Sequence, residues 1–379
     1  MRLLPLMLFL PAAAIAATPE TLVKYPETRR VDVVEEQFGV KVADPYRWLE
    51  NDVRNDPEVR AWVTAENQVT GAYLATLPGR DTFRLRLKTL FNYERFGVPV
   101  QAGGRYFYTR NSGLQNQSGL YARDSLNGPQ RVLIDPNSWA KDGATALAEW
   151  RPSHDGTKLL YGIQDGGSDW RTVKVLDVAT GKDTGDEIHW VKNQLGTWAK
   201  DGSGFFYSRF PEPPADKLYQ AVNENQTIYF HRLGTPQSED RLVYATPDKP
   251  RRGHSTQVTD DGRWLVITTT EGTDRRFEIT VVDLSQPGAK PRTLIKGLDY
   301  EWAFAGNVGT RFFFKTNNGA PRLRLVTLDL AEAAPAIREL VPEDKATLET
   351  ANIVGGIIIA EYLVDVKSEV RRYALDGKL

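Results

Sequence analysis

The sequence predicts a mainly β fold, a β-propeller of about six blades preceded by a short α-helical segment, from two observations. From residue 103 onward, a turn rich in Gly or Asp repeatedly introduces four to six aromatic and aliphatic residues. Before that point the apolar residues recur at helical spacing instead.

The helical part comes first in the chain. Asn55 or Asp56 can cap a helix running to Pro78, Pro57 suits its first turn, and Val59, Trp62, Val63, Val69, Tyr73 and Leu77 supply its apolar side. Pro78-Gly79 ends it. A second helix is expected over 81–92, with Asp81 as its cap and Phe83, Leu87, Leu90 and Phe91 on one side.

The strand units can be quoted in order: GGRYFYTR at 103, DGTKLLYGI at 155, DGSGFFYSR at 201, DGRWLVITT at 261, GTRFFFKT at 309 and GGIIIAEYL at 355. Their starts lie 52, 46, 60, 48 and 46 residues apart. A recurrent length of about 50 residues is what a four-stranded propeller blade needs. Strand, polar turn and strand also follow one another in 120–134, 173–183, 228–244 and 279–295. Leucine-rich or tetratricopeptide arrays need shorter repeats with helices, and a two-sheet sandwich does not account for six units.

Composition narrows the function classes. Of 379 residues, 48 are basic and 49 acidic, so no long-range field recruits nucleic acid or anionic lipid. No cysteine is present, which removes disulfides, thiolate nucleophiles and thiolate metal sites. Residues 1–17, MRLLPLMLFLPAAAIAA, read as a secretory signal cleaved after Ala16 or Ala17, placing the mature chain in a periplasm or outside the cell. The run is shorter than the roughly 20 apolar residues of a spanning helix.

Ser168 in Gly166-Gly167-Ser168 tests for hydrolase chemistry. Nucleophile elbows place serine in G-x-S-x-G on a turn from strand into helix, and this chain contains no such motif. Ser168 instead falls in a loop between two expected strands. The histidines, His154, His189, His231 and His254, are scattered over different repeats and supply neither a paired base nor metal-ligand spacing. Phosphate-loop and dinucleotide fingerprints are absent. No catalytic residue and no metal site is therefore assigned.

Several blocks together resemble the prolyl oligopeptidase family, in its exported bacterial form: VADPYRWLEN (42–51), AENQVTGAYL (65–74), YTRNSGLQNQSGLYARDSL (108–126), GGSDWRTVKV (166–175), RLGTPQSEDRLVYATPD (232–248) and DDGRWLVITTTEG (260–272). The resemblance implies a seven-bladed propeller that caps an α/β-hydrolase domain, with the N-terminal helices packing on the hydrolase. It implies serine endopeptidase cleavage of short peptides after proline, a propeller that gates the substrate cavity, a monomer, and no metal or organic cofactor. Three segments follow: the signal at 1–17, the helical segment at 18–95 and an incomplete propeller at 96–379.

The family's nucleophile, acid and histidine follow the propeller, and no segment here matches that region. Tyr373–Leu379 resembles Leu176–Lys182, so a further strand is expected after it. On this reading the chain is the N-terminal and propeller portion of such an enzyme and is inactive alone. Asp169 matches an acidic residue that attracts the peptide's amino end, the competing reading being an Asx-turn residue. Asn193, Gly253 and Thr273 fall where relatives place apolar or sulfur-containing residues facing the substrate. The alternative is a self-contained exported propeller that binds a peptide or a protein. Trp62, Val69, Tyr73, Phe83 and Leu87 separate the two readings, because a free binding module has no use for helical apolar faces that need another domain to cover them.

Overall fold

The computed structural model describes residues 23–214, 218 and 221–379, so the expected signal at 1–17 lies outside the described residues. The chain divides into two compact units, Met1–Asn92 and Tyr93–Leu379.

In the first unit the strands Val34–Gln37 and Val40–Ala43 form a hairpin, closed by Phe38 and Gly39, both at positive φ. Helix α1 spans Pro57–Thr76, and the Asp56 side chain accepts from the amides of Glu58 and Val59 at 2.8 and 3.1 Å. Two otherwise orphaned N–H groups are thus satisfied. Helix α2, Arg80–Phe91, corrects the expected cap: Gly79 in the left-handed region precedes it, and Asp81 lies inside the first turn. There its charge favours the helix dipole rather than closing the end. Val59 is buried and Trp62 half-buried, its indole donating to Thr28 Oγ1 at 2.9 Å. Val69 is also half-buried, whereas Tyr73, Phe83, Leu87 and Leu90 are half or more exposed.

The second unit is a six-blade β-propeller whose blades are successive antiparallel sheets. Blade 1 holds Arg105–Asn111, Gly119–Arg123 and Arg131–Ile134, with Arg95–Phe96 and Val100–Ala102 both on the free edge of the first of these. Blade 2 runs Ala146–Pro152, Lys158–Gln164, Arg171–Asp177 and Lys182–Val191. Blade 3 follows with Thr197–Trp198, Gly204–Arg209, Thr227–Arg232 and Arg241–Tyr244. Blade 4 comprises Arg252–Val258, Trp264–Glu271, Glu278–Asp283 and Arg292–Ile295. Blade 5 comprises Trp302–Val308, Arg311–Thr316, Arg324–Asp329 and Arg338–Val341, and blade 6 has Thr347–Val354, Ile357–Val364 and Lys367–Tyr373.

Each repeat unit read from the sequence is the second strand of its four-stranded blade, or its counterpart in blades 1 and 6. That strand is flanked on both sides, so it carries the densest apolar run. Successive blades meet through buried clusters. Phe107 and Leu120 pack with Leu159 and Tyr161, and Leu160 and Val175 with Trp198 and Phe205. Phe206 and Ile228 pack with Leu265 and Ile267, Val266 and Ile279 with Phe312 and Phe314, and Phe313 with Leu348 and Ile358. Alternation along a strand explains how neighbouring phenylalanines serve opposite junctions.

At the junction of blades 1 and 2 the backbones themselves touch. Gly103 has φ +54°, and a Cβ there would overlap the Asp155 carbonyl, while Arg105 Nη1 donates to Gly156 O at 3.1 Å. Gly103→Ala is expected to cost about 2–4 kcal/mol, combining left-handed strain with overpacking. Gly104→Ala, at φ +79° with open space around it, isolates the conformational part, about 1 kcal/mol. Urea unfolding of the two variants checks this, and equal midpoints would refute the close approach.

Candidate ligand cavity

Three of the four residues singled out from the sequence line one feature. Asn193, Gly253 and Thr273 line a common cavity of about 340 Å³ in the propeller unit. Asp169 is not among its lining residues but lies close enough for its charge to act on Lys192, which is.

Local chain geometry explains the convergence. At the end of the last strand of blade 2 the chain turns tightly: Trp190 within the strand and Asn193 just after it both have positive φ, and Gln194 N donates to Lys192 O at 2.8 Å. Asn tolerates that region better than most side chains. Gln194 then fixes the cavity wall, its Nε2 donating to Thr256 O at 3.0 Å and its Oε1 accepting from Thr256 N at 2.8 Å. Gly253 is the second residue of the first strand of blade 4, opposite Thr270, and a Cβ there would press on Gln226 Oε1 at 3.3 Å. That same oxygen accepts from His254 N at 2.6 Å. Thr273 follows Gly272, at φ +60°, in the turn after Trp264–Glu271.

Lys192 was not foreseen. It is 9% exposed, donates to Asn223 Oδ1 at 2.8 Å and stands 3.8 Å from the centre of the Trp170 ring. Trp170 is fixed by its indole donating to Leu218 O at 2.8 Å and by edge contacts with Trp190 and Phe210. Burial lowers the Lys192 pKa, and the Asp169 charge partly restores it. A lysine after a strand reads as solvent-exposed, so no local signal announces this one.

Two arginines also line the cavity. Arg252 pairs with Glu278 at 3.1 Å, both nearly buried, and Arg251 pairs with Glu271 at 2.9 Å near the surface.

The hydroxyl and imidazole groups do not assemble a nucleophile. Ser168 Oγ accepts from Trp170 N at 3.1 Å and Ser168 N donates to Asp165 O at 3.0 Å, so it closes the loop between Lys158–Gln164 and Arg171–Asp177. Ser168 thus supplies a side-chain turn bond in this loop. His254 is held between Thr246 Oγ1 at 3.1 Å and Thr269 Oγ1 at 2.9 Å, and burial together with the Arg252 charge lowers its pKa to about 4. It is neutral at ordinary pH. His231 lies between the carboxylates of Asp240, 2.7 Å from Nδ1, and Asp186, 3.1 Å from Nε2. Among the described residues no imidazole hydrogen-bonds a serine hydroxyl; Ser208 Oγ donates only to the backbone carbonyl of His254, at 2.6 Å.

Six successive antiparallel sheets of this kind define a β-propeller domain. The family profile of the prolyl oligopeptidase N-terminal β-propeller domain matches residues 25–379. The chain belongs to the prolyl oligopeptidase family through that domain. It is 35% identical to the prolyl endopeptidase of Elizabethkingia meningoseptica over 372 residues, 97% of this chain and 51% of that enzyme. Against prolyl oligopeptidase A of Amanita bisporigera the identity is 29%, over 89% of this chain and 49% of that one. In structure it matches one of two prolyl endopeptidases studied for inter-domain dynamics, with TM-score 0.71 and 46% identity over 93% of this chain and 51% of that chain. It also matches prolyl oligopeptidase B of Galerina marginata bound to a 35mer substrate, with TM-score 0.81 and 28% identity over 93% and 52%. The chain thus spans about half the length of the relatives it matches.

Proposed function

We propose that this chain is the N-terminal and propeller portion of an exported prolyl oligopeptidase, a serine endopeptidase that cleaves short peptides after proline. The propeller shapes and gates the substrate cavity, and the catalytic serine, acid and histidine belong to an α/β-hydrolase domain outside these residues. Asn193, Gly253 and Thr273 contact the peptide, and Asp169 sets the potential near them. Membership of the family carries the reading. It is supported by Asn193, Gly253 and Thr273 lining one cavity, and by Phe83, Leu87 and Leu90 standing exposed on α2, ready to be covered by a hydrolase body.

Two measurements test it. A chromogenic peptide with proline before the scissile bond is expected to stay intact with the purified chain, since a hydroxyl without a base is a poor nucleophile. A labelled short peptide containing proline is expected to bind saturably and to be weakened by Gly253→Leu. Turnover that persists through purification, or a complete lack of peptide binding, would defeat the proposal.

A further inference from the structure

The cavity holds a positive charge that its own walls do not neutralise. Lys192, Arg251 and Arg252 line it, and no aspartate or glutamate does among the described residues. Both arginines are committed to carboxylates, Glu278 and Glu271. Lys192 has no carboxylate within ion-pair distance among the described residues.

Its surroundings stabilise a cation without cancelling it. The Trp170 ring faces the ammonium at 3.8 Å and Asn223 Oδ1 accepts one proton at 2.8 Å. An ammonium has three donors, so two remain for another acceptor. Removing a charge from water is costly, and Asp169, which acts on Lys192 at longer range than an ion pair, offsets only part of that cost, so a carboxylate entering the cavity would recover more of it. A ring face and an amide oxygen attract a cation but leave its net charge in place.

We propose that Lys192 makes this cavity a carboxylate-recognising subsite, which accepts a peptide through an acidic side chain or a free C-terminal carboxylate. The proposal rests on the reading of the cavity as a peptide site. It gives that site a preference opposite in sign to the attraction of an amino terminus by Asp169. A single ammonium on a flexible stem suits a carboxylate approaching from various angles, where a fixed guanidinium fork would demand one.

The test uses fluorescence anisotropy with short labelled peptides containing proline. One pair differs only by Glu against Gln before the proline, and a second pair, with Gln at that position, differs only by a C-terminal acid against an amide. The intact chain is expected to bind the charged member of at least one pair about tenfold more tightly, with the ratio shrinking as salt rises. Whichever pair shows the ratio identifies the source of the carboxylate. In Lys192→Met the ratio is expected to fall to near one, with circular dichroism confirming the fold. The wild-type comparison stands alone should that variant misfold. Peptides that all bind with equal affinity would overturn carboxylate recognition while leaving the peptide site intact. Peptides that do not bind at all would overturn both.

Discussion

Replacing His231 by alanine is expected to destabilise the propeller unit by about 3–5 kcal/mol, the usual cost of stripping one partner from a buried ionic group. His231 is fully buried on Thr227–Arg232 of blade 3, and Asp186 reaches it from the last strand of blade 2. Its other carboxylate, Asp240, precedes the strand Arg241–Tyr244 and also accepts from Tyr207 O–H at 2.5 Å. Asp186 accepts further from Thr184 Oγ1 and Gly234 N. Without the ring, two carboxylates with 1–2% side-chain exposure would be left without their shared counter-charge.

The same network fixes the sign of a pH effect. Burial alone would lower the His231 pKa, but the hydrogen bonds and charges of Asp240 and Asp186 outweigh it and the net shift is upward. A raised folded value means that the contribution is complete below the unfolded pKa of about 6.5 and is lost as pH rises through the folded value. A neutral ring offers one N–H, so one carboxylate would then face a lone pair. Burial raises the Asp186 pKa, and hydrogen bonds from Thr184, Gly234 and His231 more than reverse this, giving a lowered value. That contribution is present above the unfolded pKa of about 3.9 and is lost as pH falls through the folded value. Melting temperatures of wild type and His231→Gln across a range from about pH 2 to about pH 9 check this. Parallel profiles would show that the ring carries no linked proton.

Truncating Phe312 to alanine is expected to cost a comparable amount, about 3–5 kcal/mol. The ring is fully buried between blades 4 and 5, edge-on to Trp264 at 5.6 Å and tilted against Phe304 at 5.3 Å. Phe83→Ala is the control, since that ring is 72% exposed and its loss is expected within about 0.5 kcal/mol. Denaturant midpoints decide, and hydrogen exchange should rise first in the strands of blades 4 and 5. Equal midpoints for the two variants would mean that the junction contributes nothing.

These two residues also mark what a linear reading can and cannot see. Phe312-Phe313-Phe314 announces a strand buried on both faces, because three aromatics in a row leave no side for water, and the turn before it sets the repeat. His231 reads only as an isolated histidine in a strand. Its role depends on Asp186, 45 residues away, and no periodicity links positions that meet through the stacking of blades. Lys192 was invisible for the same reason, since Trp170 and Asn223 reach it from separate loops. The Val34–Ala43 hairpin was missed although Phe38-Gly39 between short alternating runs offered a signal. Asp81 misled because a capping residue type one position inside a helix looks the same in sequence. The cavity positions came from resemblance, and three of the four line one cavity in the structure.

Each sheet of the propeller is a meander complete within about fifty residues, its strands pairing with chain neighbours except that Arg95–Phe96 pairs with Arg105–Asn111 past Val100–Ala102. Loop closure is therefore short for every pairing, which favours rapid acquisition of each sheet and lets assembly keep pace with synthesis on the ribosome. A nascent chain needs to wait only for the next sheet, never for a distant strand, before it can hide its aromatic residues.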